Sequence, residues 1–282
     1  MEYKIDSSKI SHPLIKPILE ELIPFFQEKE IKFFIIGATA RDIILELNDE
    51  QAGRATRDLD IAIAIEDWNK YAEIDNDLVQ LPNFSKDTHQ KQRFIYCDTY
   101  EIDLVPYGQI MEQDDKIYWP PDQDTAMNVL GFKEAEKHIL KVNIDDQYEV
   151  DVVNLTSIFL LKLVAWTDRN NISSKDADDM GFILTNYLSI NEDRAIEEFY
   201  DEIYTIDPFD TIVAAGALMG IDLNNMIKDN PATHEFLVKV IDQEIELDTE
   251  SRLFNQIIET NSNISFEQIL EAFIKLGQKI TQ

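Results

Sequence analysis

The chain has 282 residues, room for two domains of ordinary size, and its 44% hydrophobic and 28% charged content excludes collagen-like repetition and a chain too polar to fold. There are 55 Asp and Glu against 25 Lys and Arg, a net charge of -30 that divides into -15 for residues 1–150 and -15 for 151–282. So global an acidity disfavours a duplex-coating DNA binder whose affinity comes from neutralising phosphates, though not a locally basic site; it reads first as solubility and second as a docking surface for a basic partner.

The single cysteine, Cys97, cannot close an intramolecular disulfide. The start MEYKIDSSK is polar and acidic, and no run approaches the roughly 18 apolar residues of a membrane span. A cytoplasmic protein is expected, with no membrane contact. His12, His89, His138 and His234 are scattered, so a His/Cys metal site is not expected.

In chain order, residues 11–30 predict an amphipathic helix with Ser11 as N-cap, Leu14, Ile18, Leu22, Phe25 and Phe26 on one stripe, and a kink or break at Pro24. Residues 32–36 predict a buried strand closed by Gly37, with a helix starting just after it. A polar loop over 48–56 leads to DLDIAIAI, residues 58–65, which alternates cleanly as a strand. Asp67 is placed to cap a helix running to about 79, and 81–85 reads as a turn. Strands are expected over 91–97, 100–107, 127–132 and 148–152. From 154 the pattern turns helical, with amphipathic stretches at 195–204, 211–219, 235–245 and 266–276 that suggest a bundle. The acidic run 242–250 reads as a solvated face. The fold class is therefore α/β (α+β) with a mixed sheet over 1–150, followed by an all-helical domain over 151–282.

The strongest chemical feature is Asp58-Leu59-Asp60. Side chains two apart on a strand share a face, so both carboxylates point one way while Leu59, Ile61 and Ile63 enter the core. A pair about 7 Å apart can converge on a divalent cation. Gly37 lets the amides at the following helix start approach an anion, and Asp103, flanked by Ile102 and Leu104 on another strand, can supply a third carboxylate.

These residues resemble the nucleotidyltransferase superfamily, whose head carries a glycine turn, an acidic pair on the next strand and a third acidic strand residue. GATARDIIL followed by RDLDIAIA is similar to the head of tRNA nucleotidyltransferases, over roughly residues 31–107. The second small residue of the turn is Ala38, where Gly or Ser is usual in the superfamily, and Thr39 is the nearest hydroxyl. The stretch LLKLVAWTDRNNISSKDADDM resembles the abortive-infection (type IV toxin–antitoxin) nucleotidyltransferase toxins. That likeness implies that Lys162 contacts the nucleotide's phosphates, that Asp176 supports Lys162 or the substrate, and that the helical domain completes the nucleotide site.

The implied function is transfer of a nucleoside monophosphate from an NTP such as ATP to a hydroxyl on tRNA or protein. Mg²⁺ or Mn²⁺ would sit on Asp58, Asp60 and Asp103. Gly37, Ala38 and Thr39 would line the phosphate turn, Arg41 would fork onto phosphate oxygens, and Arg54 and Arg57 are further triphosphate ligands. A cognate antitoxin is the implied partner. The segment SKDTHQKQRF, with Lys86, Lys91 and Arg93, reads first as a solvated hairpin rim and second as a short acceptor contact on which His89 and Phe94 stack a base; Trp119 to Asp122 could line the site. Two rivals remain open: a homologue that binds nucleotide without turnover because of Ala38, and an acidic interaction protein.

Overall fold

A computed structural model describes residues 3–50 and 56–282, and the chain divides into two compact units, Met1–Asn154 and Leu155–Gln282. In the first unit the elements are β1 (Tyr3–Ile5), α1 (Ile15–Glu28), β2 (Phe33–Ile36), α2 (Gly37–Leu47), β3 (Asp58–Ile65), α3 (Trp68–Leu78), β4 (Phe84–Lys86), β5 (Arg93–Tyr96), β6 (Tyr100–Gly108), β7 (Lys116–Trp119), β8 (Thr125–Asn128), α4 (Phe132–Glu136), β9 (Ile139–Ile144) and β10 (Tyr148–Val153). Among the described residues eight strands form one mixed sheet in the order β1-β9-β10-β2-β3-β6-β5-β4, and β7 pairs with β8 separately.

The centre of this sheet is set by β3, whose alternation buries Leu59, Ile61 and Ile63 completely. It runs antiparallel to β2, with Ile36 opposite Asp60, and parallel to β6, with Asp58 opposite Glu101 and Asp60 opposite Asp103. A parallel neighbour needs a long crossover, which α3 and the β4–β5 hairpin supply. Asp67 caps α3 by accepting from the Lys70 amide.

Several local expectations change. Ser11 caps nothing in α1, which starts at Ile15 and runs through Pro24 to Glu28 without a break. Pro24 and Glu20, four residues before it, are both exposed, so the carbonyl left without a helical partner faces water. The strand expected at 127–132 ends at Asn128, because Gly131 takes a left-handed conformation, φ 88°, and starts α4. Phe84 and Ser85, expected within the turn over 81–85, form β4 together with Lys86.

The second unit is helical: α5 (Leu155–Arg169), α6 (Lys175–Ile190), α7 (Glu192–Ile203), α8 (Thr211–Ile227), α9 (Pro231–Leu247), α10 (Arg252–Thr260) and α11 (Phe266–Ile280). Helices α8 and α11 touch backbone to backbone. A Cβ on Gly216 would meet the Ala272 carbonyl oxygen at 2.3 Å, and one on Gly220 the Leu276 carbonyl oxygen at 2.5 Å. Within the acidic run, Glu244 is not solvated: it is buried and accepts from the Ser251 hydroxyl at 2.7 Å and the Leu253 amide at 3.3 Å. Helices α5 and α6 are tied by charge. Arg169 forks both oxygens of buried Asp176 at 2.7 Å, and the Lys162 ammonium lies 2.5 Å from Asp179 and 3.5 Å from Asp176. Burial alone would push the Asp176 carboxyl up; the Arg169 fork and the Lys162 charge outweigh it and hold the group below its ordinary value.

Two outcomes follow for solution stability. Gly216→Ala forces a backbone shift and should cost about 2 kcal/mol, read as a lowered urea midpoint. Asp176, depressed in the folded state, stabilises the protein above the unfolded carboxyl value of about 3.9, and that contribution disappears as pH falls through the lower folded value. Asp176→Asn should therefore cost about 3 kcal/mol at pH 7, with the gap to wild type closing below about pH 4.

Candidate active site

Asp60 and Gly37 define the first unit's chemical centre. Gly37 opens α2 with φ +67°, and a Cβ there would fall 2.2 Å from Asp60 Oδ2. Only glycine meets both demands, the left-handed backbone and the close carboxylate. Asp60 thereby sits at the amino end of α2, where unpaired N–H groups favour negative charge.

Asp58, two residues earlier on the same face, accepts the Thr56 hydroxyl on Oδ1 at 2.7 Å. Its main-chain carbonyl receives the hydroxyls of Thr56 at 3.0 Å, Tyr100 at 3.3 Å and Thr39 at 3.4 Å. Burial, and then the charges of Asp58 and Asp60, push the Tyr100 phenol above its usual value, which keeps it a donor. His12 stacks on Tyr100 at 4.4 Å.

Asp103 lies beside Asp60 on β6, and Arg93 stands opposite Asp103 on β5. Arg93 donates from Nε to Asp103 Oδ1 at 2.8 Å and from Nη2 to Oδ2 at 2.9 Å, and also pairs with Glu101. The Asp103 hydrogen bond, opposed by burial and aided by the charges of Asp103, Glu101 and Asp58, raises the Arg93 pKa. Four carboxylates, Asp58, Asp60, Glu101 and Asp103, thus share one face with this guanidinium. Among the described residues no group of three or more His, Cys, Asp or Glu side chains is arranged to hold a metal ion. Both oxygens of Asp103 accept from Arg93. Asp58 and Asp60 remain a hard-oxygen pair of the type that Mg²⁺ or Mn²⁺ takes together with waters and phosphates, so the donor set fits such a cation.

The remaining candidates have different settings. Ala38 is half-buried in the first turn of α2, and Thr39 is buried with its hydroxyl on Asp58. Arg41 is only 2% exposed and gives Nε and Nη2 to Asp42 Oδ1 at 2.9 and 2.7 Å, so its guanidinium is engaged inside the fold. Arg57 is exposed next to Asp58, whereas Arg54 lies outside the described residues. Lys162 and Asp176 meet in the helical unit as described.

The segment with Lys86 and Arg93 splits between the two faces of the sheet. Phe94 is fully buried, so it offers no platform for a base, which goes against the second reading of this segment. Lys86, in register with Phe94, lies 4.1 Å from its ring centroid, and its ammonium donates to Asp75 at 2.8 Å and to the Lys91 carbonyl at 2.6 Å. Burial pulls the Lys86 pKa down. Trp119 is buried against Trp68 and Tyr71 beside a cavity of about 340 Å³ that Lys86, His89 and Lys91 help to line. Because Lys86 and Phe94 alternate with Arg93, this cavity belongs to the face away from the carboxylates. Sequence reasoning missed the pairing of Arg93 with Asp103 and Glu101; the signal was two successive strands, RFIY and YEIDLVPY, whose charged positions share one parity.

A sequence model described as nucleotidyl transferase AbiEii toxin, type IV TA system, matches residues 25–277. A comparison with curated proteins gave no match. Two solved structures are similar at low identity. The antigenic nucleotidyltransferase-like protein from Paracoccidioides brasiliensis is 16% identical, with 74% of this chain and 94% of that one covered and a TM-score of 0.41. The Elizabethkingia meningoseptica CdnE cyclic dinucleotide synthase, solved with GTP and Apcpp, is 12% identical, with 97% and 93% covered and a TM-score of 0.28. Among the described residues no helix is long and apolar enough to cross a membrane. With its sequence matched over most of its length, the chain belongs to the AbiEii toxin family of type IV toxin–antitoxin systems and is a nucleotidyltransferase.

Proposed function

We propose that this toxin-like enzyme moves a nucleoside monophosphate from an NTP to a hydroxyl acceptor, using a divalent cation, Mg²⁺ or Mn²⁺, held by Asp58 and Asp60. The observation that carries this reading is the placement of both carboxylates on one face of β3, with Asp60 against Gly37 at the amino end of α2. A cation bound there supplies charge neutralisation to the triphosphate and acidifies the attacking hydroxyl. In the transfer, the acceptor oxygen bonds to the α-phosphorus as the bond to pyrophosphate breaks, and the acceptor's proton passes to solvent water.

The chain's own groups bind and orient. The first-turn amides of Ala38 and Thr39 face a phosphate, as helix amino ends do, and exposed Arg57 adds a forked charge beside Asp58. Thr39, Thr56 and Tyr100 fix Asp58 through its carbonyl, so Thr39 acts as a positioning hydroxyl rather than a phosphate ligand. Buried Arg41 supports α2 through Asp42. Lys162, held by Asp176 and Asp179, is a separate candidate for phosphate contact from the helical unit.

The net charge of -30 opposes any extended RNA backbone contact. The acceptor is therefore a protein hydroxyl or one nucleotide end of a tRNA, reached over a short contact. The setting is cytoplasmic, and the partner that restrains the enzyme is a cognate antitoxin.

Incubation with each labelled NTP, Mg²⁺ or Mn²⁺, and either total tRNA or protein extract reads the activity and separates the two acceptor classes. Asp58→Asn and Asp60→Asn should each lower transfer at least about 100-fold with the melting temperature little changed, equivalent to about 2.7 kcal/mol of transition-state stabilisation. Label transfer that survives both changes would remove the metal pair from the mechanism. Gly37→Ala should cost about 2 kcal/mol of stability from its left-handed backbone and from Asp60. Part of that cost should return in the double variant Gly37→Ala/Asp60→Ala, measured as a coupling in a denaturation cycle.

A further inference from the structure

Arg93 is the cation that stands among the four carboxylates, and its geometry is specific. Nε and Nη2 make the two parallel bonds of a fork to Asp103, and Nη1 reaches Glu101. The fork occupies both oxygens of the carboxylate that would have to join Asp58 and Asp60 to make a three-ligand site. Asp103 neighbours Asp60 in the parallel register of β3 and β6, on the same face, so its position on the backbone is suited to that role. Its side-chain partner is Arg93.

That partner is replaceable. The Arg93 side chain keeps 21% of its surface exposed and that of Asp103, a buried residue, keeps 12%, so solvent reaches the pair from the Arg93 side. A guanidinium donates to two phosphate oxygens in the same forked geometry in which it holds a carboxylate. A triphosphate arriving at this face offers that alternative. Its metal ion brings positive charge for the released Asp103, and Glu101, whose side chain is 42% exposed, is left to water. In the absence of nucleotide the fork serves a purpose of its own, since four carboxylates facing one another repel.

We propose that Arg93 is a positioning residue that holds Asp103 away from the metal pair until a nucleoside triphosphate draws its guanidinium onto phosphate, so that the third carboxylate joins Asp58 and Asp60 only when substrate is present. This inference rests on the metal-dependent reading above. It makes completion of the site conditional on the substrate. Metal and nucleotide then bind with mutual positive coupling, each strengthening the other.

The test is Mn²⁺ binding to the full chain, followed by electron paramagnetic resonance of unbound Mn²⁺, with and without the α,β-methylene analogues of ATP and GTP. Wild type is compared with Asp103→Asn, Arg93→Gln, the Arg93→Gln/Asp103→Asn pair and an Asp58→Asn/Asp60→Asn control. With Arg93 in place, Asp103→Asn should change Mn²⁺ affinity less than about threefold without nucleotide and weaken it at least about tenfold with the analogue. In the Arg93→Gln background it should weaken Mn²⁺ at least about tenfold even without nucleotide. Equal weakening by Asp103→Asn in both conditions with Arg93 present would overturn the proposal, because Asp103 would then be a permanent ligand. No weakening in either condition would overturn it too, because Asp103 would then be no ligand. Loss of Mn²⁺ binding in the Asp58/Asp60 control alongside either of these results leaves the metal reading standing and removes only the role of Arg93. Absence of Mn²⁺ binding to wild type with either analogue present overturns both. Circular dichroism reports folding, and Arg93→Lys, which keeps the charge and loses the fork, replaces Arg93→Gln if that variant unfolds.

Discussion

The approach of the Asp60 carboxylate to Gly37 constrains the site more than any other contact. It requires a residue without a Cβ at the start of α2, a left-handed turn there, and a strand order that puts Ile36 opposite Asp60. Once those are met, the rest of the face follows from strand arithmetic. Asp58 lies two residues back on the same side, and Glu101 and Asp103 lie at the same levels on β6. The helix amino end next to Asp60 then meets negative charge from the protein itself.

This concentration of carboxylates gives the net charge of -30 a more exact meaning. The acids at the candidate site are compensated one by one, by a hydroxyl at Asp58, a helix end at Asp60 and the Arg93 fork at Asp103 and Glu101. The helical unit uses the same means, with Arg169 on Asp176, Lys162 between Asp176 and Asp179, and a hydroxyl and an amide for Glu244. The acids left on the surface act through the long-range field. Two scales of electrostatics therefore operate in one chain, one local and structural, the other global.

What could be read from the amino-acid sequence depended on whether a signal was periodic or relational. DLDIAIAI is a strand by its own alternation, and β3 spans those eight residues. The long helices of the second unit are likewise written in their apolar spacing. Strands β1, β4 and β7, of three, three and four residues, are too short to show a period and exist because neighbours pair with them. Arg41 illustrates the same limit at a side chain: its place after the glycine turn suggested phosphate, yet burial beside Asp42 gives it a partner within the fold. Phe94 looked available in a basic stretch, but the parity of β5 that turns Arg93 to the carboxylates turns Phe94 into the core.

The two arginine forks show how exposure separates a structural ion pair from an exchangeable one. Arg169 and Arg93 grip Asp176 and Asp103 with nearly the same bond lengths, so geometry alone does not distinguish them. The difference lies in the carboxylates. The Asp176 side chain has no exposed surface, and breaking its pair would leave a charge where water cannot reach. The Asp103 side chain keeps 12% of its surface, faces a group of like charges, and has Asp60 beside it on the neighbouring strand. Its desolvation is incomplete, and a cation at the same face can replace what the arginine provides. A fork that is permanent in one unit is, by this difference in burial, suited to exchange in the other.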